Sequence, residues 1–235
     1  MIREAIILAG GMGTRLRGMI KSLPKSMAPV LERPFLEYQL AYLNNWGLQK
    51  VVLALGYKNE IIMKYFRDSY RTLKLDYSLE QEPLGTGGAL KKALKKTGSP
   101  YVLVMNGDTY FDVNLKRMHN DRMAKGADVI IAMSQVDDIK RFGSLEFDIN
   151  KRITAFVEKG KKSGTGYVSG GVYLVRRSLL EGLDLPHKFS LEKDCFEKYH
   201  ERFQMFGMAC TSYFLDIGIP SDYIKAQHDL DGIFI

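Results

Sequence analysis

Residues 5–16 read AIILAGGMGTRL: an apolar run, three glycines within four positions, then Thr14 and Arg15. Five consecutive apolar residues without polar alternation are what a strand buried on both faces requires, and such strands belong to parallel sheets covered by helices. The glycines that end the run let backbone come close to a ligand and aim its N–H groups inward, while Arg15 adds a fixed cation with a planar fork of donors. This is an anion loop. It is not the dinucleotide type, because G-x-G-x-x-G needs a glycine where Leu16 stands, nor a P-loop, because no G-K-[ST] follows.

Working outward, the same pattern repeats. A helix is predicted over 34–46, opened by Pro34 and closed by Gly47, followed by an apolar run at 51–55 and a helix over about 60–70 with Ile61, Ile62, Tyr65 and Phe66 on its inner face. Residues 75–79 alternate as a half-buried strand, 85–96 form a helix opened by glycine, and 101–105 are a buried strand ending in Asn106-Gly107-Asp108. These βα units in series predict an α/β protein with a Rossmann-like, doubly wound sheet. Beyond Asp108 a helix near 115–125 leads to shorter strands at 129–132, 144–147, 153–157 and 172–175, so the sheet becomes mixed. Helices over 191–199 and 221–229 flank a strand-like stretch at 203–208 and Phe214-Leu215-Asp216. No linker interrupts the pattern, so 1–235 reads as a single domain.

Composition narrows the function classes. A chain 46% hydrophobic and 26% charged is neither disordered nor fibrous. Lys and Arg number 34 against 27 Asp and Glu, and the net charge of +7 suits an anionic ligand. The densest basic cluster, Lys91, Lys92, Lys95 and Lys96, lies at helical spacing beside Ala89, Leu90, Ala93 and Leu94, so it reads as a solvated helix face and not as a nucleic-acid surface. Cys195 and Cys210 fit neither a disulfide framework nor a zinc site. No export signal and no run approaching the roughly 18 apolar residues of a membrane span are visible. The expectation is a cytoplasmic protein with no membrane and no nucleic-acid partner.

In an open doubly wound sheet, ligands bind outside the carboxyl ends of the strands. Asp108 and Asp216 each follow an apolar strand and would project there; either one alone would read as a turn or helix cap. Together with phosphate oxygens, two carboxylates are a typical magnesium arrangement. None of the four histidines, His119, His187, His200 and His228, lies in these segments.

With these residues in place, the chain resembles the sugar-1-phosphate nucleotidyltransferases. LAGGMGTRL at 8–16 is followed by LPKSMAPV at 23–30, EQEPLGTGGAL at 80–90, NGD at 106–108, FVEK at 156–159, SGG at 169–171 and DIG at 216–218. The resemblance spans nearly the whole length. It implies a nucleotide-diphospho-sugar transferase fold and magnesium-assisted transfer of a nucleoside monophosphate from a nucleoside triphosphate to a sugar 1-phosphate, releasing pyrophosphate. It also implies a nucleotide-binding half over about 1–110 and a sugar-phosphate half over about 111–235. Small members of the family often pair, so a homodimer is expected.

By the same resemblance Arg15 steadies the leaving phosphates, Lys25 reaches the phosphates at the reacting centre, and Asp108 and Asp216 hold the metal, Asp108 acting with Arg15 and Lys25 in catalysis. Leu8, Ala9, Gly10, Gly11, Met12, Gly13, Thr14, Gly85, Thr86 and Asn106 form the nucleotide site. Glu80, five residues before Gly85, occupies the position that faces the base. A carboxylate there is acceptor-only and matches the paired N–H donors of guanine, which favours GTP; a shift of one residue would put the Gln81 amide there instead. For the acceptor, Glu158 fits a sugar hydroxyl and Lys159 its phosphate, with Gly107, Gly143, Ser169, Gly170 and Gly171 lining the ring. Many relatives carry asparagine where Ser169 stands and proline where Ser26 stands. Within the family the motif combination is most similar to the branch that guanylylates D-glycero-α-D-manno-heptose 1-phosphate, for bacterial surface polysaccharide. Alternatives are a mannose-1-phosphate guanylyltransferase, a uridylyl-, thymidylyl- or cytidylyltransferase, and, in another class, a non-catalytic regulatory subunit that binds nucleotide sugars.

Overall fold

The computed structural model describes residues 1–11, 13, 20, 23–141, 143–157 and 160–232. Its elements run β1 (Glu4–Leu8), the short ribbon β2 (Pro29–Val30) and β3 (Arg33–Pro34), α1 (Phe35–Asn45), β4 (Lys50–Leu55), α2 (Asn59–Phe66), β5 (Ser69–Tyr70), β6 (Leu73–Leu79), α3 (Gly85–Leu94) and β7 (Tyr101–Asn106). There follow β8 (Thr109–Phe111), α4 (Leu115–Lys125), β9 (Val129–Val136), the hairpin β10 (Ser144–Phe147) and β11 (Ile153–Val157), β12 (Gly166–Arg176), a π-helix at Leu191–Glu197, β13 (Met205–Cys210), β14 (Phe214–Asp216) and α5 (Pro220–Asp229).

Eight strands form one sheet in the order β13-β9-β12-β7-β1-β4-β6-β5. All run in one direction except β12, antiparallel to both neighbours, and the edge strand β5. The missing polar alternation in β1 has its reason here. Ala5 and Ile7 face a core shared with α1, α2, α4 and α5, while Ile6 faces a second core made with α3 and the π-helix. After β1 the chain builds outward through β4 and β6; α3 then carries it back to β7 on the other side of β1. The β1–β7 seam is thus the switch point where a doubly wound sheet opens a crevice.

Three elements differ from expectation. The helix expected over 60–70 ends at Phe66: Arg67 takes φ 54, and Ser69–Tyr70 return as β5. Tyr70 still packs edge-on against Phe66, ring centroids 6.3 Å apart, so the apolar period outlasts the helix. The helix expected over 191–199 is wound as a π-helix over Leu191–Glu197, whose wider turn brings Leu191, Cys195 and Phe196 to the core together. The strand expected at 172–175 is the end of the eleven-residue β12, whose pairing with β9 shifts register between Ser169 and Tyr173, across Gly170 and Gly171. Among the described residues, no helix is long and apolar enough to cross a membrane.

One buried polar group ties α1 to the crevice. Gln39, fully buried, donates through Nε2 to the carbonyls of Asn106 and Thr109, each at 2.7 Å, and so holds the turn between β7 and β8. Gln39→Leu keeps the bulk but strands both carbonyls, and is expected to lower unfolding free energy by about 2–4 kcal/mol in urea denaturation. An unchanged midpoint and slope would show that the turn holds itself.

Candidate active site

The carboxyl ends of β1 and β7 meet closely. The Gly107 N–H donates to Leu8 O at 2.9 Å, and a Cβ on Gly107 would stand 2.9 Å from that oxygen and from the Ala9 Cβ, so only glycine fits. Above this seam lies a cleft of about 290 Å³ lined by Leu8, Ala9, Gly10, Gly11, Lys25, Ser26, Glu80, Gly85, Thr86, Asn106, Gly107 and Asp108. Through Thr86, Asn106 and Asp108 it continues into a larger compartment of about 750 Å³ that reaches Gly143, Ser169, Gly171 and Asp216. Of the residues expected at the nucleotide, Leu8, Ala9, Gly10, Gly11, Glu80, Gly85, Thr86 and Asn106 line the smaller compartment; of those expected at the sugar, Gly143, Ser169 and Gly171 line the larger, whereas Gly107, at the β1–β7 seam, lines the smaller one instead.

Charge is concentrated on the wall that the two compartments share. β14 pairs antiparallel with β8, setting Asp216 opposite Thr109, and the Ile217 N–H donates to Asp108 O at 2.9 Å. These contacts bring the two aspartates together around Lys25, whose Nζ is 2.5 Å from Asp108 Oδ2 and 3.9 Å from Asp216 Oδ1. Lys25 opens a 3-10 turn (Lys25–Met27) after Pro24. Its side chain is 12% exposed against 38% for Asp108, so the lysine end of the pair is withdrawn while the carboxylate stays open to solvent screening. Gly13 takes φ 58 against it, where a Cβ would come within 2.8 Å of the Lys25 Cβ. Among the described residues no three His, Cys, Asp or Glu side chains converge as a metal cluster. A cation held by Asp108 and Asp216 could take further ligands from substrate or water.

The second glycine loop closes the other side. Glu80 Oε2 accepts the Leu84 N–H at 2.9 Å, while Oε1 lies 2.4 Å from where a Cβ on Gly10 would stand; the absence of a side chain on Gly10 makes room for this carboxylate. Gln81 lines a separate groove with Lys91 and Lys92, so the register that puts Glu80 in the cleft is the one the fold adopts. Gly85, at φ 71, packs on the Phe189 carbonyl, which also accepts the Gly87 N–H at 2.9 Å. Thr86 Oγ1 accepts the Leu191 N–H at 2.9 Å.

On the sugar side, Gly171 takes φ 67 and a Cβ there would press on Asn106 Nδ2 at 2.7 Å, which explains why the S-G-G and N-G-D segments meet. Gly170 turns from the cleft toward the Phe111 ring. Ser169 lines the cleft, with its hydroxyl engaged by Tyr173 and Gly171. Met12, Thr14, Arg15, Glu158 and Lys159 lie outside the described residues. Sequence reasoning missed Gln39, though a lone amide within the apolar helix face of Phe35, Leu36, Tyr38, Leu40 and Leu43 was a legible signal. It also missed Ser26, Glu192 and Lys193, which no local pattern marks. No histidine lines either compartment among the described residues.

The nucleotidyl transferase family matches this chain over residues 4–232. A D-glycero-alpha-D-manno-heptose 1-phosphate guanylyltransferase from Aneurinibacillus thermoaerophilus is 44% identical over 97% of this chain and 98% of its own length. One from Campylobacter jejuni is 40% identical over 94% and 96%. The crystal structure of HddC from Yersinia pseudotuberculosis superposes with a TM-score of 0.86 at 36% identity, covering 96% of this chain and 98% of that one, and the same protein is also known complexed with GMP-PN. Matched from end to end by these relatives and by the family as a whole, the chain belongs to the nucleotidyl transferases.

Proposed function

We propose that this enzyme transfers GMP from GTP to a sugar 1-phosphate, D-glycero-α-D-manno-heptose 1-phosphate, giving the GDP-sugar and pyrophosphate. The observation that carries this reading is the pair of compartments joined at Asp108, with Lys25 and Asp216 on the same wall. A nucleotide in the smaller compartment and a sugar phosphate in the larger would meet at that wall. The sugar-phosphate oxygen attacks the α-phosphorus, the bond from that phosphorus to the bridging oxygen breaks, and pyrophosphate leaves with the electron pair. No base is needed, because a phosphomonoester with a second pKa of about 6 is already mostly deprotonated near neutral pH.

The donor set suits magnesium: Asp108 and Asp216 offer the hard oxygens it prefers and leave positions for phosphate oxygens. Bound there, Mg²⁺ would supply charge neutralisation on the reacting phosphates. Lys25, already between the two carboxylates, would turn to the α-phosphoryl oxygens, and Arg15 would steady the departing pyrophosphate. Glu80 supports guanine because it lines the cleft beside Gly10 and a carboxylate can only accept. Two relatives named for heptose 1-phosphate, matched over nearly their full lengths, support the acceptor, and the GMP-PN complex of a third supports the donor. One domain would do this work, with its nucleotide half over about 1–110 and sugar half over about 111–235, in the cytoplasm, supplying bacterial surface-polysaccharide synthesis.

Pyrophosphate release with Mg²⁺, crossing GTP, UTP and dTTP against heptose, mannose and glucose 1-phosphates, is expected to be fastest for GTP with the heptose. Turnover with a different pair would displace the donor or acceptor assignment; nucleotide binding without release would favour a regulatory subunit. Lys25→Met, Asp108→Asn and Asp216→Asn should each lower kcat by about 10²–10³-fold while unfolding stays cooperative. Glu80→Gln should shrink the preference for GTP over UTP by roughly 10- to 100-fold in kcat/KM ratios, and an unaltered ratio would return Glu80 to a purely structural part.

A further inference from the structure

Glu192 lines the larger compartment from the π-helix, and its Oε1 accepts the hydroxyl proton of Tyr173. Tyr173 is 1% exposed. A phenol has one proton and a carboxylate can only accept, so that proton points at Glu192. The Ser169 hydroxyl, 3.0 Å from the Tyr173 oxygen, must then donate to it, and its own oxygen accepts the Gly171 N–H at 3.3 Å. The relay from Ser169 through Tyr173 to Glu192 thus has a single direction. Burial and the neighbouring carboxylate hold the Tyr173 pKa well above the ordinary phenol value, which keeps the proton in place.

The support beneath Glu192 is equally specific. Phe196, four residues on in the same π-helix, packs edge-on against the Tyr173 ring with centroids 5.5 Å apart. The Leu191 N–H is held by Thr86, and Ser190 and Asp194 cap the helix start reciprocally, the Ser190 N–H on Asp194 Oδ2 at 2.7 Å and the Lys193 N–H on Ser190 Oγ at 3.2 Å. A carboxylate this constrained, with only Oε1 engaged among the described residues, is a preorganised acceptor facing the cleft. It would repel a phosphate and attract a hydroxyl.

We propose that Glu192 reads the hydroxyls of the acceptor sugar, accepting from them through the carboxylate oxygen that Tyr173 leaves unused, and that Tyr173 and Ser169 are positioning residues acting through it. This rests on the sugar-phosphate transferase reading above, and it reassigns Ser169 from sugar contact to support.

The test measures kcat and KM separately for GTP and for D-glycero-α-D-manno-heptose 1-phosphate in the parent enzyme, Glu192→Gln, Tyr173→Phe and Ser169→Ala. Glu192→Gln and Tyr173→Phe are expected to raise the sugar-phosphate KM by roughly 10- to 100-fold, with Ser169→Ala smaller, while kcat and the GTP KM stay within about threefold. A series of monodeoxy analogues supplies the second reading: the analogue that loses most in the parent should lose nothing further in Glu192→Ala. Should the sugar KM stay unchanged in Glu192→Gln, or the deoxy penalty persist in Glu192→Ala, the inference is overturned while the transferase reading stands. Absence of pyrophosphate release by the parent with any sugar 1-phosphate overturns both. If Tyr173→Phe fails to fold, Glu192→Gln and Ser169→Ala decide the matter alone.

Discussion

Two carboxylates held side by side repel each other, and the architecture around the cleft is organised to make Asp108 and Asp216 neighbours nonetheless. Lys25 is the compensation. Its ammonium sits between them, mostly withdrawn from solvent itself, while both carboxylates stay partly exposed. Much of the surrounding geometry serves this one arrangement. Pro24 and the 3-10 turn aim the lysine, Gly13 gives its stem room, the β8–β14 ribbon delivers Asp216, and Gln39 fixes the turn that carries Asp108. Lys25 offsets one of the two negative charges, so among these three groups the wall keeps a net negative charge.

The two compartments are mechanically linked as well as adjacent. Thr86 belongs to the glycine loop of the smaller one and accepts the Leu191 N–H at the start of the helix that lines the larger one. The same loop is clamped on Phe189 through the Gly87 N–H. The glycine loop and the start of that helix are therefore tied by two short hydrogen bonds, one through the Thr86 side chain and one between backbone groups.

What the sequence reveals, and what it hides, follows from range. The central strands were legible because burial on both faces removes polar residues from the run at 5–9, and the loops were legible because glycines at 10, 85 and 107 answer to local demands for closeness or positive φ. The end of α2 was not, since Tyr70 keeps the helical period while packing from a strand. The π-helix was not, because cores at 191, 195 and 196 suit an α-helix nearly as well. Glu80 could be placed by counting back from Gly85, whereas Glu192 owes its position to Tyr173, Phe196 and Thr86, all distant in the chain except Phe196. Side-chain partners fixed by tertiary contacts leave no trace in spacing.

β12 runs against the direction of every other interior strand and stands between β7 and β9, so β9 and β13 are joined to the rest of the sheet through it alone. Its pairing with β7 joins distant stretches of the chain, from Val172 with Met105 to Arg176 with Tyr101, the kind of contact that loop-closure entropy delays. The consequence lies in the order of assembly. Gly171 cannot meet Asn106, nor Tyr173 its partner Glu192, until β12 has inserted. A chain caught before that step holds the strand ends of a nucleotide crevice with no opposing wall. The wall facing the crevice therefore depends on β12, and a molecule without that strand in place has nowhere to bring two substrates together.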